Sequence, residues 1–131
     1  MIGGNILDYR PIVHQCNCVS KYGKGLYKDI ITKYPESDIY KIRKSPSVPG
    51  TIFVTENVIC LFAQYYPGKS NNTNDTKEMR LNWFKECLDQ LPDIKLYLPY
   101  KIGCGLAGGN WDDYCELIKN SGKDITIVKF N

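Results

Sequence analysis

Residues 11–26 read PIVHQCNCVSKYGKGL, an apolar run that leads into a polar loop with two glycines. The β-branched start of this stretch predicts a short strand over residues 11–16. After the loop, apolar side chains recur at helical spacing and predict a helix over residues 25–34. Pro35 ends that helix, because the residue before a proline is pushed out of the helical region. A strand, a glycine-bearing loop and a helix in this order indicate an α/β unit.

The same order recurs in residues 95–111, which read KLYLPYKIGCGLAGGNW. Residues 95–98 predict a buried strand, and residues 99–109 form a second glycine-rich loop. Asn110 is a good N-cap for a following helix, and Asp112 and Asp113 lie in its first turn, where the helix dipole favours acids. The chain therefore repeats one strand-to-helix connection in two different regions.

The remaining segments complete an α/β pattern. Thr51–Thr55 and Val58–Tyr65 predict a β-hairpin, Thr76–Leu91 the longest helix, and Asp124–Phe130 a closing strand. The segment Glu36–Pro49 is predicted to be a surface connection. Strands interleaved with helices, plus one hairpin, predict an α/β sandwich with a mixed central sheet.

Length and composition favour one small domain over residues 1–131. The chain has 43% hydrophobic residues, 24% charged residues and a net charge of +3, as in ordinary globular proteins. No apolar run is long enough for a membrane span, and the N-terminus has no secretory pattern. We expect a soluble intracellular monomer, in the cytoplasm with the nucleus left open. Scattered lysines argue against nucleic-acid binding.

Six cysteines, at positions 16, 18, 60, 87, 104 and 115, allow a metal site or disulfides to be considered. The chain has no Cys-x-x-Cys pair, and its single Cys-x-Cys has only His14 nearby. Cys60, Cys87 and Cys115 lie in apolar patterns and are interpreted as buried thiols. The sequence therefore predicts no metal site and requires no cofactor.

The two loops carry the chemistry. Each leaves the carboxyl end of a strand and precedes a helix, where free backbone amides can bind phosphate. Together they predict a site that holds a diphosphate from both sides. A pair of ordinary tight turns is the alternative interpretation, and neither loop matches a Rossmann or P-loop pattern.

Three segments resemble the macrodomain family over nearly the whole chain. These are Gly4–Leu7, residues 14–25 (HQCNCVSKYGKG) and residues 102–111 (IGCGLAGGNW). The most similar branch holds the terminal ADP-ribose protein glycohydrolases and the fungal-type ADP-ribose-1''-phosphate phosphatases. The resemblance implies a three-layer α/β/α sandwich that binds ADP-ribose, ADP-ribose 1''-phosphate or an ADP-ribosylated protein.

The resemblance also assigns ligand contacts by position. Asn5 stands where the family usually has an aspartate that accepts a hydrogen bond from the adenine amino group. The resemblance implies that Ile6 offers its backbone amide beside it. Asn17 matches the asparagine that binds the distal ribose. Backbone and side-chain contacts to the rest of the ligand would come from Gly23, Lys24, Gly25, Leu26, Gln64, Gly103, Cys104, Gly105, Leu106 and Ala107.

Catalysis remains open between three functions. Ala107 stands at the position of the family's catalytic aspartate. The family's lysine position falls near Gln64 or Tyr65, with Lys69 a few residues away, so the resemblance disfavours lysine-dependent hydrolysis. His14, the only histidine, is a candidate nucleophile or general acid–base for a phosphatase, with Asn17 beside it. A structural core histidine is the alternative. The candidates are thus ADP-ribose-1''-phosphate phosphatase, non-catalytic ADP-ribose reader, and ADP-ribosyl-protein hydrolase with a non-standard residue set.

Overall fold

The computed structural model describes residues 1–130, whose strands and helices alternate along the chain. The strands are β1 (Ile2–Gly3), β2 (Ile12–Gln15), β3 (Ile52–Val54), β4 (Val58–Leu61), β5 (Leu96–Pro99) and β6 (Ile125–Lys129). The α-helices are α1 (Leu26–Lys33), α2 (Ile39–Ile42), α3 (Lys77–Asp89) and α4 (Trp111–Asn120). Two short 3₁₀ turns lie at Ile6–Asp8 and Pro35–Ser37. No helix of this part of the chain is long and apolar enough to cross a membrane.

Within residues 1–130 the strands form one sheet in the order β1-β6-β5-β2-β4-β3. Neighbouring strands run parallel, except for the edge strand β3, which pairs with β4 in the antiparallel sense. The predicted mixed sheet and its hairpin are therefore confirmed. Because β2 is central and parallel to both neighbours, the loops after β2 and β5 emerge at the same edge.

Alternating side chains of the strands divide the core into two layers. In β2, Ile12 packs in the cluster that holds Ile30 of α1, whereas Val13 packs in the cluster that holds Phe84 of α3 and Tyr114 of α4. This alternation is the expected period of two for a strand covered on both faces. The helices therefore lie in two layers around the sheet, which is the predicted three-layer sandwich.

Three sequence predictions need correction. The segment 36–49 is not a plain surface connection, because it contains α2 and the buried side chains of Ser37 and Tyr40. The strand predicted to reach Tyr65 ends at Leu61, although Ala63 and its neighbours stay buried. Cys115 is only half-buried, since it lies beside the inner face of α4.

Phe84 offers a test of the α3–α4 layer. Its ring is fully buried and meets the Tyr114 ring edge to face, with 4.8 Å between the ring centroids. We expect Phe84→Ala to lower the free energy of unfolding by about 3–5 kcal/mol, from lost burial and the cavity left behind. Urea unfolding measures this loss. Ile94→Ala is the control, because Ile94 is half exposed, and an equal loss in both variants would contradict the packing described.

Candidate functional site

A cleft of about 920 Å³ opens at the carboxyl ends of β2 and β5. The loop after β2 (residues 16–25) forms one wall, and the loop after β5 (residues 100–110) forms the other. We call them the first loop and the second loop. This volume is in the range of pockets that enclose a whole small-molecule ligand.

Asn17 shapes the start of the first loop. Its side-chain Oδ1 accepts hydrogen bonds from the amides of Val19 (3.1 Å) and Ser20 (2.8 Å). This is an Asx-type turn, in which an asparagine side chain replaces a backbone acceptor. Asn17 is buried and lines the cleft. Its Oδ1 is used for the turn, so the amide nitrogen Nδ2 is the group that can donate to a ligand.

The segment around α2 holds the first loop from behind. The Tyr40 hydroxyl accepts a hydrogen bond from the backbone amide of Asn17 at 2.8 Å. The Arg43 guanidinium donates to the backbone carbonyls of Asn17 (2.9 Å) and Ser20 (2.7 Å). The Tyr40 ring stacks on Tyr27 of α1, with 3.9 Å between centroids. Burial raises the pKa of both phenols, so both stay protonated. The first loop is therefore fixed by residues far away in the sequence.

Glycines are required where the first loop turns into α1. A Cβ at Gly23 would overlap the Tyr27 ring, so only glycine fits under this stacked pair. Gly25 is the N-cap residue of α1, with φ of +57°. Its backbone faces open space within residues 1–130. Gly25 and Leu26 line the cleft, and the first amides of α1 have no intrahelical acceptor, so this helix start can donate to a ligand.

The second loop is compact and also depends on glycine. Gly103 has φ of +74°, and a Cβ there would come within 2.8 Å of the Tyr114 ring. The Gly109 amide donates to the Gly103 carbonyl at 3.0 Å and closes the loop on itself. Gly105, between them, would place a Cβ against no atom of the described residues. The middle of this loop therefore presents bare backbone to the cleft.

A buried ion pair attaches the second loop to the rest of the fold. Arg80 of α3 donates to both oxygens of Asp75, at 2.8 and 2.7 Å, and to the carbonyls of Gly68 (2.8 Å) and Ala107 (3.3 Å). Burial acts to raise the pKa of Asp75. The hydrogen bonds from Arg80 and the Tyr66 amide outweigh it and hold the pKa below its ordinary value. Arg80 thus links the second loop to residues 66–75.

His14 lies at the floor of the cleft among thiols. Its ring is almost completely buried, and Nε2 lies 3.5 Å from Sγ of both Cys16 and Cys60. The hydrogen bond from Cys16 and the nearby imidazole lower the pKa of the Cys60 thiol, although burial opposes them. The imidazole ring also lies 5.5 Å from the Tyr27 ring, between centroids.

Solved structures share this arrangement of strands, helices and loops. The chain superposes on the macrodomain of Mycobacterium tuberculosis DarG with a TM-score of 0.69 and 20% identity, over 99% of this chain and 97% of that one. The chain has the macrodomain fold. It also superposes on the IBV X-domain with a TM-score of 0.57 and 18% identity, over 95% of this chain and 77% of that one.

One curated relative comes from a phage. An uncharacterized 17.5 kDa protein of the tk-vs intergenic region of Enterobacteria phage T4 is 27% identical over 134 residues, which is 91% of this chain and 84% of that protein. No model of a protein family matches the chain. The macrodomain resemblance read from the sequence is thus confirmed at the level of the fold.

Most of the predicted site residues meet in the macrodomain cleft. Its lining includes His14, Asn17, Gly23, Lys24, Gly25, Leu26, Gln64, Gly103, Gly105, Leu106 and Ala107. Asn5, Ile6 and Cys104 are not among the lining residues. Asn5 instead caps the first 3₁₀ turn by accepting from the Leu7 amide at 2.9 Å. The Cys104 thiol donates to the Ile102 carbonyl.

Sequence reasoning missed several lining residues of the macrodomain cleft. Gln15 follows His14 in β2 and donates from Nε2 to Gln64 Oε1 at 2.8 Å. Gln15 Oε1 is buried and finds no hydrogen-bond partner among residues 1–130. Strand alternation directs Gln15 to the face opposite His14, and this period of two could have indicated it. Tyr40 and Tyr100 also line the cleft, but nothing local in the sequence marks them.

The Asp75–Arg80 pair predicts a specific acid response. A carboxylate whose pKa is lowered on folding stabilises the fold above its unfolded pKa of about 4, and this stability is lost as pH falls through the folded pKa. We expect Asp75→Asn to cost about 3–5 kcal/mol near neutral pH, because Arg80 stays buried without its partner.

Urea unfolding near neutral pH and below about pH 3 tests this prediction. The additional loss on acidification should be smaller in Asp75→Asn than in the wild type. Asp93→Asn is the matched control, because the Asp93 carboxylate is 95% exposed and lies 3.8 Å from Lys123. Equal effects of the two substitutions would contradict the anchoring role.

Proposed function

We propose that this chain binds ADP-ribose in the cleft, free or attached to a protein. One observation carries the proposal: two glycine-bearing loops face each other across a cleft at the carboxyl ends of β2 and β5, and the backbone amides of residues 21–25 and 105–107 donate to no acceptor among residues 1–130. Backbone amides in such loops bind phosphate oxygens, and open α/β sheets bind ligands at this edge. The macrodomain fold supports this choice of ligand.

The charge and size of the cleft suit a nucleotide-like dianion. Its rim carries the exposed cationic side chains of Lys21, Lys24 and Lys101. The chain as a whole has a net charge of +3, which favours approach of a small anion. A volume of about 920 Å³ holds a ligand with two sugars and a diphosphate better than a single phosphate ion.

The polar groups of the cleft fall into two sets that match the ligand. Amides of the first loop near Gly25 and of the second loop near Gly105 suit the diphosphate. At the floor, Asn17 Nδ2 is a donor that suits a ribose hydroxyl, and Gln15 Oε1 is a buried acceptor without a partner among residues 1–130, which the ligand would reach if the Gln15 side chain turns toward the cleft. Hydroxyl groups need both kinds of partner, so these two amide side chains favour a sugar at this end.

Two exposed apolar side chains stand on opposite walls of the cleft. Tyr22 in the first loop and Leu106 in the second are each 77% exposed. Exposed apolar groups beside a polar cleft are typical of ligand-binding edges. In our proposal they cover the ligand once it is held by the loop amides.

Hydrolysis of ADP-ribose 1''-phosphate is the second candidate function. The observation that favours it is the presence of His14 and Asn17 in the lining of the same cleft. The position of His14 opposes it, because the ring is only 3% exposed and its Nε2 already contacts two thiols. A general acid or base must come within hydrogen-bond reach of the substrate. Binding without turnover therefore fits the geometry better.

Asn17→Asp tests the binding proposal with little change of shape. The carboxylate keeps the oxygen that accepts from Val19 and Ser20, but it removes the donor and adds a negative charge beside an anionic ligand. We expect the affinity for ADP-ribose to fall at least about tenfold, which equals about 1.4 kcal/mol. Isothermal titration calorimetry measures it.

Asn82→Asp is the matched control, since Asn82 is exposed on α3, outside the cleft lining. It should leave the affinity unchanged. Wild-type protein that shows no heat of binding at millimolar ADP-ribose would refute the proposal. Equal affinities of the wild type and Asn17→Asp would refute the assigned contact.

A phosphate-release assay on ADP-ribose 1''-phosphate separates the two candidates. If His14 acts as acid or base, His14→Ala should lower release by about 100-fold or more while ADP-ribose still binds. The geometry leads us to expect binding without His14-dependent release. A wild-type turnover that disappears in His14→Ala would establish the phosphatase instead.

A further inference from the structure

Three soft-metal ligands meet behind the floor of the cleft. The ligand atoms of His14, Cys16 and Cys60 all lie within 4.8 Å of one another, and all three residues are buried. The register of the sheet produces this cluster, because His14 of β2 pairs directly with Cys60 of β4. Cys16 comes two residues after His14 and is therefore on the same face.

The distances suit a metal ion at the centre of the cluster. His14 Nε2 lies 3.5 Å from Cys16 Sγ and 3.5 Å from Cys60 Sγ. In a tetrahedral zinc site, bonds of about 2.3 Å to sulfur and about 2.0–2.1 Å to nitrogen place those same atoms about 3.6 Å apart. Cys16 Sγ also lies 3.9 Å from His14 Nδ1, so it sits beside the ring and not along the Nε2 lone pair. The Cys16 side chain would therefore have to turn toward Nε2 for the three ligands to close on one ion.

Hydrogen bonding alone satisfies this cluster poorly. A ring nitrogen of imidazole has either one proton to donate or one lone pair to accept with, so Nε2 forms one good hydrogen bond and not two. Two thiols lie at equal distance from Nε2, and their other contacts are long: Cys16 Sγ lies 3.9 Å from Nδ1, and Cys60 Sγ lies 3.9 Å from the Ser37 carbonyl. An ion that is bonded to Nε2 and both sulfurs would satisfy all three groups at once.

We propose that His14, Cys16 and Cys60 form a binding site for a thiolate-preferring metal ion, with Zn²⁺ as the ion. Two thiolates and one imidazole are a ligand set that selects zinc over hard cations such as Mg²⁺. On binding, each S–H bond breaks, the two protons pass to the buffer, and two S–Zn bonds form, so no oxidant is needed. The proposal does not depend on which ligand the cleft binds.

The ion would connect the ends of two neighbouring strands. Cys16 directly precedes Asn17, and Cys60 lies next to the end of β4 at Leu61. An ion at this point would hold β2 and β4 together where the first loop begins. Because an ion that binds only the folded state stabilises it by mass action, zinc should raise the melting temperature.

Cobalt titration of the chelator-treated full chain tests the site. We expect one Co²⁺ per chain with a sulfur-to-cobalt charge-transfer band, and its displacement by one Zn²⁺. Zinc, but not Mg²⁺, should raise the melting temperature. Cys16→Ser, Cys60→Ser and His14→Gln should each weaken cobalt binding, and the double variant Cys16→Ser/Cys60→Ser should lose the band. Cys115→Ser is the matched control and should keep it, because Cys115 is half-buried and lies outside the cluster.

Wild-type protein decides the question even if a variant does not fold. Absence of a thiolate-to-cobalt band in the wild type, or zinc affinity weaker than micromolar, would overturn the proposal. A band that persists in the double variant Cys16→Ser/Cys60→Ser would assign the metal to other thiols and overturn it as well. None of these outcomes bears on ADP-ribose binding, which calorimetry measures separately.

Discussion

Parallel pairing of β2 with β4 on one side and with β5 on the other determines where each group of the cleft lies. Since parallel strands point the same way, the loops after β2 and β5 leave from one edge and face each other. The alternation of β2 then assigns its side chains. His14 and Cys16 enter the layer beneath α1, Gln15 enters the opposite layer, and Asn17 begins the first loop at the edge.

Neither loop holds its shape alone. Tyr40 and Arg43 fix the first loop through its backbone, and Arg80 fixes the second through the Ala107 carbonyl. In both cases a buried side chain bonds to loop backbone, which leaves other amides of the loop for a ligand. A preorganised loop loses less conformational freedom when the ligand binds. The polar contacts behind the two loops therefore serve the stability of the fold and would also serve the binding that we propose.

Local patterns predicted the strands and helices that end at glycine, proline or capping residues. The Asn110 cap is an example, since its Oδ1 accepts from the Asp112 and Asp113 amides as the sequence suggested. Contacts across long sequence separations could not be read in this way. Tyr40 reaches Asn17 from a segment predicted to be surface, because nothing near Tyr40 in the sequence reports the Tyr27 stack beneath it. Asn5 shows the opposite case, since its side chain caps its own turn through a contact only two residues away.

The thiol cluster follows from the same limit. Sequence spacing joins His14 to Cys16 and Cys18, and this set has no metal-site pattern. In the structure, Cys18 is not part of the cluster, because its thiol donates to the Gln64 carbonyl. Cys60 takes its place, because pairing of β2 with β4 brings Cys60 next to His14. Cys16 is covalently next to Asn17, so the cluster adjoins the start of the first loop. The buried triad and the open cleft therefore share one end of β2, and His14 belongs to both.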